Sequence, residues 1–146
     1  MKALVTGAAG QLGLELTRVF GQDGEVVALP RARLDICDHE AVLHVTRETR
    51  PDVILNCAAY NDVDGAETDP GAAMQVNGFG VRSLAAAARE TGAVLVHYGT
   101  DFVFDGMAVH PYDESASPGP QSVYATSKLL GEWFARGVPR HYVLRV

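Results

Sequence analysis

A tyrosine and a lysine four residues apart, Tyr124 and Lys128, are the pair in this sequence best suited to proton chemistry. On a helix this spacing places both side chains on one face. A cation beside a phenol stabilises the phenolate and lowers the pKa of the phenol, which suits a proton donor to a developing alkoxide. A helix with an ordinary tyrosine and an exposed lysine shows the same spacing, so the pair becomes informative only beside a binding site.

Such a site is predicted near the N-terminus, where Gly7, Gly10 and Gly13 follow the first apolar run. The first glycine permits a tight turn, the second lets the backbone approach a pyrophosphate, and the third lets a helix pack closely on a strand. The N–H groups at the start of that helix then bind the anion. An ordinary glycine-rich strand–helix turn is the alternative. A P-loop is disfavoured because no GxxxxGK[ST] pattern is present.

Two arginines, Arg31 and Arg33, follow the second apolar run, where NAD-selective domains usually place a carboxylate on the ribose. A guanidinium group pairs well with a 2′-phosphate. We therefore expect NADP(H) to bind more tightly than NAD(H), which remains the second cofactor considered. Two solvated surface arginines are the alternative.

Two further polar residues have two interpretations each. Thr100 follows the fourth apolar run, where its hydroxyl could bind a substrate oxygen or cap a turn. Asn77 shares a helix face with Val81 and Leu84, so its amide is expected to be buried and hydrogen-bonded. Whether Asn77 serves the structure alone or also a proton path stays open.

The elements that position these residues alternate between short apolar runs and longer helical patterns. The five predicted strands are Lys2–Thr6, Glu25–Leu29, Val53–Asn56, Val94–Tyr98 and Tyr142–Val146. Helical patterns occupy about 12–20, 39–50, 70–90 and the segment from Tyr124 past Trp133, whereas 62–69 and 109–121 are predicted as loops. This alternation predicts an α/β fold, a doubly wound parallel sheet with helices on both faces.

A length of 146 residues predicts a single domain over residues 1–146. Hydrophobic residues make up 47% and charged residues 21%, as in soluble globular proteins. The net charge of −6 argues against a nucleic-acid partner, and no apolar run approaches the ~20 residues of a membrane helix. Two cysteines without CxxC spacing predict reduced thiols and a cytoplasmic location, and five histidines without ligand spacing predict no metal site.

Six motifs together resemble the extended short-chain dehydrogenase/reductase superfamily, and within it the dTDP-4-dehydrorhamnose reductases. They are TGAAGQLG (6–13), LDICD (34–38), PDVILNCAAYNDVDGAE (51–67), VNGFG (76–80), TDFVFDG (100–106) and YATSKLLGE (124–132). The resemblance implies a Rossmann-type NAD(P)-binding domain. It also implies NADP(H)-dependent reduction of a nucleotide-linked 4-keto-6-deoxy sugar, as in dTDP-rhamnose biosynthesis.

By the same resemblance, Thr100, Tyr124 and Lys128 are the catalytic residues. The implied cofactor-binding residues are Gly7, Gly10, Gln11, Leu12, Gly13, Arg31, Asp35, Ile36, Cys57, Ala58, Ala59, Tyr60, Asn77, Tyr124 and Lys128. Cys57 can also be interpreted as a small buried hydrophobic residue.

Similar 4,6-dehydratases carry Asp-Glu after the threonine, whereas this sequence has Asp101-Phe102. The missing second carboxylate favours reduction over loss of water. Three residues depart from the family pattern: Gly99 stands for a usual Ser, Phe102 for a usual Tyr and Ala125 for a usual Gly.

Members of the family continue into a C-terminal substrate-binding region that is mostly absent from this sequence. A second hypothesis is therefore a non-catalytic nucleotide-binding regulatory module or an inactive truncated homologue. The methionine adenosyltransferase regulatory subunit, which resembles the same family, is the precedent. A sheet edge exposed near Val146 would favour self-association into a homo-oligomer.

Overall fold

Five parallel strands form the central sheet of the computed structural model, which describes residues 1–146. The strands are β1 (Lys2–Thr6), β2 (Glu25–Leu29), β3 (Val53–Asn56), β4 (Val94–Gly99) and β5 (His141–Arg145). Their order across the sheet is β2-β1-β3-β4-β5. All five predicted strands are therefore present, with bounds shifted by no more than one residue. The chain reverses its winding direction between β1 and β3, and ligands of doubly wound sheets bind at such a crevice.

Helices cover both faces of this sheet, as the alternating pattern predicts. They are α1 (Gln11–Phe20), α2 (His39–Thr49), α3 (Val63–Thr68), α4 (Pro70–Met74), α5 (Val81–Thr91) and α6 (Val123–Arg136). Side chains alternate along β1, so Leu4 joins the core beneath α5 while Ala3 and Val5 join the core on the opposite face, against Leu16 of α1. The fold is the doubly wound, Rossmann-type α/β fold.

The segment between β3 and α5 differs from the sequence-based prediction in two respects. The acidic stretch predicted as a loop contains α3, whose N-cap Asp62 accepts a hydrogen bond from Gly65 N at 2.8 Å. Glu67 Oε1 accepts from Val123 N at 2.7 Å, at the first residue of α6. These carboxylates cap helix ends, where the partial positive charge favours them.

The second difference lies in the helix predicted from 70 to about 90. It begins at Pro70 as expected, with Asp69 capping Ala72 N at 3.0 Å. A π-helical segment, Gln75–Gly80, then interrupts it before α5. Segments of this kind are rare and are frequently found at functional sites.

The chain between β4 and α6 is largely irregular, apart from a short 3-10 turn at Asp101–Val103. This agrees with the loop predicted for 109–121. Within it the Phe104 and Tyr112 rings stack at 4.1 Å. The helices are all too short or too polar to cross a bilayer.

Candidate active site

The glycine-rich turn after β1 has the geometry expected of a phosphate-binding turn. Gly7 has φ +62°, and a Cβ there would lie 2.6 Å from Ala58 N. A Cβ at Gly13 would lie 2.5 Å from Gly7 O, so only glycine lets α1 pack this closely on the turn. Beside Gly10 a Cβ would meet only Gly7 O, at 3.3 Å, so its outward side is open.

Helix α1 offers its N-terminus to this open side. Gly10 is its N-cap and supplies no side-chain hydrogen bond to the first turn. The first N–H groups of a helix lack intrahelical partners and favour an anion. The turn and the helix end therefore fit the pyrophosphate of a dinucleotide.

Two cavities meet at Gly10 along the carboxyl edge of the sheet. The first, of about 280 Å³, lies between the turn and the chain after β2. The second, of about 480 Å³, extends over the ends of β3 and β4 to α6. Both are lined by Gly10, Cys57, Ala58, Ala59 and Asn61. Because they share these residues, the two cavities form one trough with two compartments, an arrangement that fits the two halves of a dinucleotide.

The first cavity contains the residues expected around an adenosine group. Besides the shared residues, its lining includes Gly7, Arg31, Asp35, Ile36 and Tyr60. The Arg31 side chain is 82% exposed, with its Nε 3.5 Å from Asp35 Oδ2. Cys37 N donates to Asp35 Oδ1, and this bond holds the pKa of that carboxyl below its usual value. Arg33 does not line the cavity.

The second cavity brings together the three proposed catalytic side chains. Thr100, Tyr124 and Lys128 all line it, beside Gln11 and Leu12. Each of the three is buried, with 4–9% of its surface exposed. Thr100 Oγ1 donates to Asp101 Oδ1 and accepts from Phe102 N, both at 3.3 Å. The ring of Phe102 meets that of Tyr124 edge-on at 6.0 Å.

The ionisation of the tyrosine differs from the sequence-based expectation. Burial raises the pKa of Tyr124, and Asp101 adds to the increase, whereas the Thr100 hydroxyl opposes it. The expected lowering by Lys128 is not seen. Its Nζ donates instead to the Tyr98 carbonyl at 2.7 Å. Burial lowers the pKa of Lys128 to about 8, so its ammonium group is easily deprotonated for a lysine.

Asn77 lies behind the trough rather than in it. Its Oδ1 accepts from Tyr60 N at 2.8 Å, and its Nδ2 donates to Tyr60 O at 2.9 Å and to Ser127 Oγ at 3.0 Å. Both amide protons are therefore used, and the side chain is 1% exposed. Of the two interpretations of this residue, the contacts favour the structural one. Gly13 likewise lies outside both cavities, in the packing of α1 on the turn.

A buried polar network that the motifs did not reveal supports the floor of the trough. Thr6 Oγ1 donates to Asn56 Oδ1 at 2.8 Å, and Asn56 Nδ2 donates to His97 Nδ1 at 3.2 Å. Burial lowers the pKa of His97 to about 3, so the ring is neutral. Asn61 and Tyr98 are further lining residues not singled out from the sequence. Tyr98 could have been predicted as a lining residue from its position near the end of a strand.

Comparison with known proteins places this geometry in a family. The family model described as "RmlD substrate binding domain" matches residues 1–146. A relative named dTDP-4-dehydrorhamnose reductase, from Burkholderia thailandensis, is 48% identical over 132 residues, covering 90% of this chain and 44% of the relative. A Streptomyces griseus protein of the same name is 50% identical over 130 residues, covering 88% and 43% of the two chains. This chain therefore spans less than half of either relative.

Solved structures give the same result. A dTDP-4-dehydrorhamnose reductase from Clostridium acetobutylicum superposes with a TM-score of 0.96 at 41% identity, covering 99% of this chain and 52% of that chain. The enzyme of that name from Bacillus anthracis, crystallised in complex with NADP, also has a TM-score of 0.96, at 36% identity and with the same coverage.

Proposed function

Because this chain belongs to the RmlD substrate binding domain family, we propose that it is the NAD(P)-binding part of a dTDP-4-dehydrorhamnose reductase. The reaction is NADPH-dependent reduction of a nucleotide-linked 4-keto-6-deoxy sugar. One observation carries the proposal: Thr100, Tyr124 and Lys128 line a single cavity that continues into the glycine-rich turn. The full activity requires a site that also holds the sugar nucleotide.

Each of the three side chains has a distinct role in this proposal. The phenol of Tyr124 protonates the keto oxygen as the carbon is reduced. The hydroxyl of Thr100 hydrogen-bonds the same oxygen and orients the carbonyl. Lys128 binds the nicotinamide ribose, to which its ammonium group donates hydrogen bonds. The bound cofactor supplies the hydride.

The remaining contacts concern the cofactor. The open N-terminus of α1 receives the pyrophosphate, and the first cavity receives the adenosine with Arg31 at its rim. Arg31 is the residue placed to bind a 2′-phosphate, which is present in NADP and absent from NAD. The complex of the Bacillus anthracis relative with NADP supports this choice.

The function is tested by titrating the chain with NADPH, then adding a dTDP-4-keto-6-deoxy sugar and following the loss of NADPH absorbance. We expect saturable binding, followed by oxidation of the cofactor only when the sugar nucleotide is present. Binding without oxidation would contradict catalysis by this chain and favour a non-catalytic nucleotide-binding module. Absence of NADPH binding would contradict both functions.

Cofactor preference is expected to depend on Arg31. In the Arg31→Gln variant, the Kd for NADPH should increase about tenfold because one charge-assisted contact to the phosphate is lost. The Kd for NADH should stay the same, since NADH has no 2′-phosphate. Fluorescence titration measures both constants, and Arg33→Gln is the matched control because Arg33 lies outside the cavity. An equal loss of affinity for both cofactors would contradict the assignment.

A further inference from the structure

A carboxylate one helical turn beyond Lys128 is completely buried. Glu132 of α6 is 0% exposed. A buried charge is retained only where it is paired and hydrogen-bonded, since desolvation of an isolated ion is very costly. The spacing of four residues places Glu132 on the same face of α6 as Lys128. Glu132 is the last residue of the YATSKLLGE motif, but the proposed catalytic roles do not involve it.

Its partner is Arg145, which comes from the neighbouring strand β5. Arg145 Nη2 donates to Glu132 Oε2 at 2.8 Å, and Arg145 Nε donates to Oε1 at 3.0 Å. This two-point pairing is the strong geometry for a guanidinium and a carboxylate. Arg136 is a weaker, half-exposed partner, with its Nη2 3.7 Å from Oε2. The guanidinium of Arg145 also lies over the Phe104 ring, 4.8 Å from its centre.

The pair and the lysine meet at the end of β4, directly before Thr100. Lys128 Nζ donates to the carbonyl of Tyr98. A Cβ added at Gly99 would collide with Glu132 Oε1, and Gly99 is also the register partner of Arg145. Two consecutive residues of β4 therefore lie between the lysine and the ion pair. Tyr98 accepts the hydrogen bond from Lys128, and Gly99 packs against Glu132 and Arg145.

We propose that Glu132 and Arg145 are positioning residues that act through Lys128, with Glu132 maintaining its positive charge and Arg145 moderating that effect. The consequence for turnover rests on the proposed function of Lys128. The electrostatic coupling of Lys128, Glu132 and Arg145 does not depend on that function, because it is a property of the chain alone.

The other groups around Lys128 leave Glu132 as the main source of this effect. His97 on β4 is neutral because burial depresses its pKa to about 3, and Cys57 after β3 is neutral because burial raises its pKa to about 11. Tyr124 on α6 is neutral as well, its pKa being raised by burial.

Two other carboxylates lie at this end of the site, Asp101 in the 3-10 turn and Glu15 in the lining of the same cavity, and both are exposed to solvent. Burial lowers the pKa of Lys128, and Glu132 opposes that decrease. Without the Glu132 charge, the pKa of Lys128 must decrease further, so the ammonium group loses its proton at a lower pH.

The sequence allows a direct test because it contains only two lysines, Lys2 and Lys128. Lysine-selective isotope labelling gives two NMR side-chain signals, and Lys2 serves as the internal reference. We expect the midpoint for Lys128 to decrease by about one pH unit in Glu132→Gln. It should increase in Arg145→Gln, which leaves the carboxylate less neutralised. General loosening of the fold would not produce shifts of opposite sign.

Glu90→Gln is the matched control, since it removes one carboxylate from an exposed ion pair with Arg47 on the outer surface of α2 and α5. It should leave the Lys128 midpoint unchanged. An unchanged midpoint in Glu132→Gln would overturn the proposal. If that variant does not fold, Arg145→Gln decides alone, and an unchanged or lower midpoint there overturns it.

Turnover separates this inference from the proposed function. With an active wild-type enzyme, Glu132→Gln should lose kcat at a lower pH than the wild type while its Kd for NADPH stays within about threefold. If the wild type binds NADPH but does not turn over, the proposed function fails while the NMR shifts still test the coupling. If turnover is normal but the midpoints do not move, the coupling fails alone.

Discussion

Turnover should fall by about 10²–10⁴-fold when Tyr124 is replaced by phenylalanine, the range expected for loss of a positioned proton donor. Phenylalanine retains the ring that packs edge-on against Phe102 but lacks the hydroxyl that interacts with Thr100. The Kd for NADPH should therefore change little. Single-turnover and steady-state kinetics with the sugar nucleotide measure the loss, and a cofactor titration checks binding.

The control for this experiment is Tyr142→Phe, because Tyr142 lies on β5 with 63% of its surface exposed. That variant should behave as the wild type. Because burial raises the pKa of Tyr124, its phenol stays protonated through neutral pH, which suits an acid in the direction of reduction. Undiminished turnover in Tyr124→Phe would refute the assignment.

The second large effect is expected at Gly7, where alanine should destabilise the fold by about 3–5 kcal/mol and abolish NADPH binding. A left-handed backbone costs a non-glycine residue about 1–2 kcal/mol. The remaining cost comes from a Cβ only 2.6 Å from Ala58 N, which requires the backbone after β3 to move. That movement displaces a wall common to both cavities. Urea unfolding measures the stability, and fluorescence titration measures the affinity.

Substitutions at two other glycines measure the backbone strain and the loss of NADPH binding separately. Gly92 has φ +74°, but a Cβ there would have no atoms within 4 Å, so Gly92→Ala should cost only the backbone term and leave NADPH binding intact. Gly10 has an ordinary φ and an open side, so Gly10→Ala should weaken NADPH binding with little loss of stability. Equal destabilisation in Gly7→Ala and Gly92→Ala would show that the close contact at Ala58 is unimportant.

Strands β1 and β3 were predictable because a central strand of a parallel sheet is buried on both faces and forms a continuous apolar run. The edge strands β2 and β5 are only partly buried but were predictable as well, from their apolar residues. Helix α3 was not. Its sequence contains Gly65 and several acidic residues, and its stability depends on the Asp62 cap and on contacts of Ala66 and Glu67 with other parts of the chain. Such tertiary contributions leave no periodic signal over six residues.

The candidate site likewise contains some residues that could be predicted from the sequence and others that could not. Tyr124 and Lys128 were found because their relation is local, four residues along one helix. The partnership of Glu132 with Arg145 depends on the register of β5 against β4, which no local pattern encodes. The Lys128 contact with the Tyr98 carbonyl was missed for the same reason, and with it the direction of the Tyr124 pKa.

The parallel arrangement of the strands also determines how the molecule can be handled. Every strand begins at one edge of the sheet, and the trough lies at the other. Lys2, at the start of β1, is the accessible one of the two lysines, because Lys128 is buried. Coupling through surface amines would therefore immobilise the protein by its amino edge, leaving the trough directed towards the solution and free to exchange cofactor.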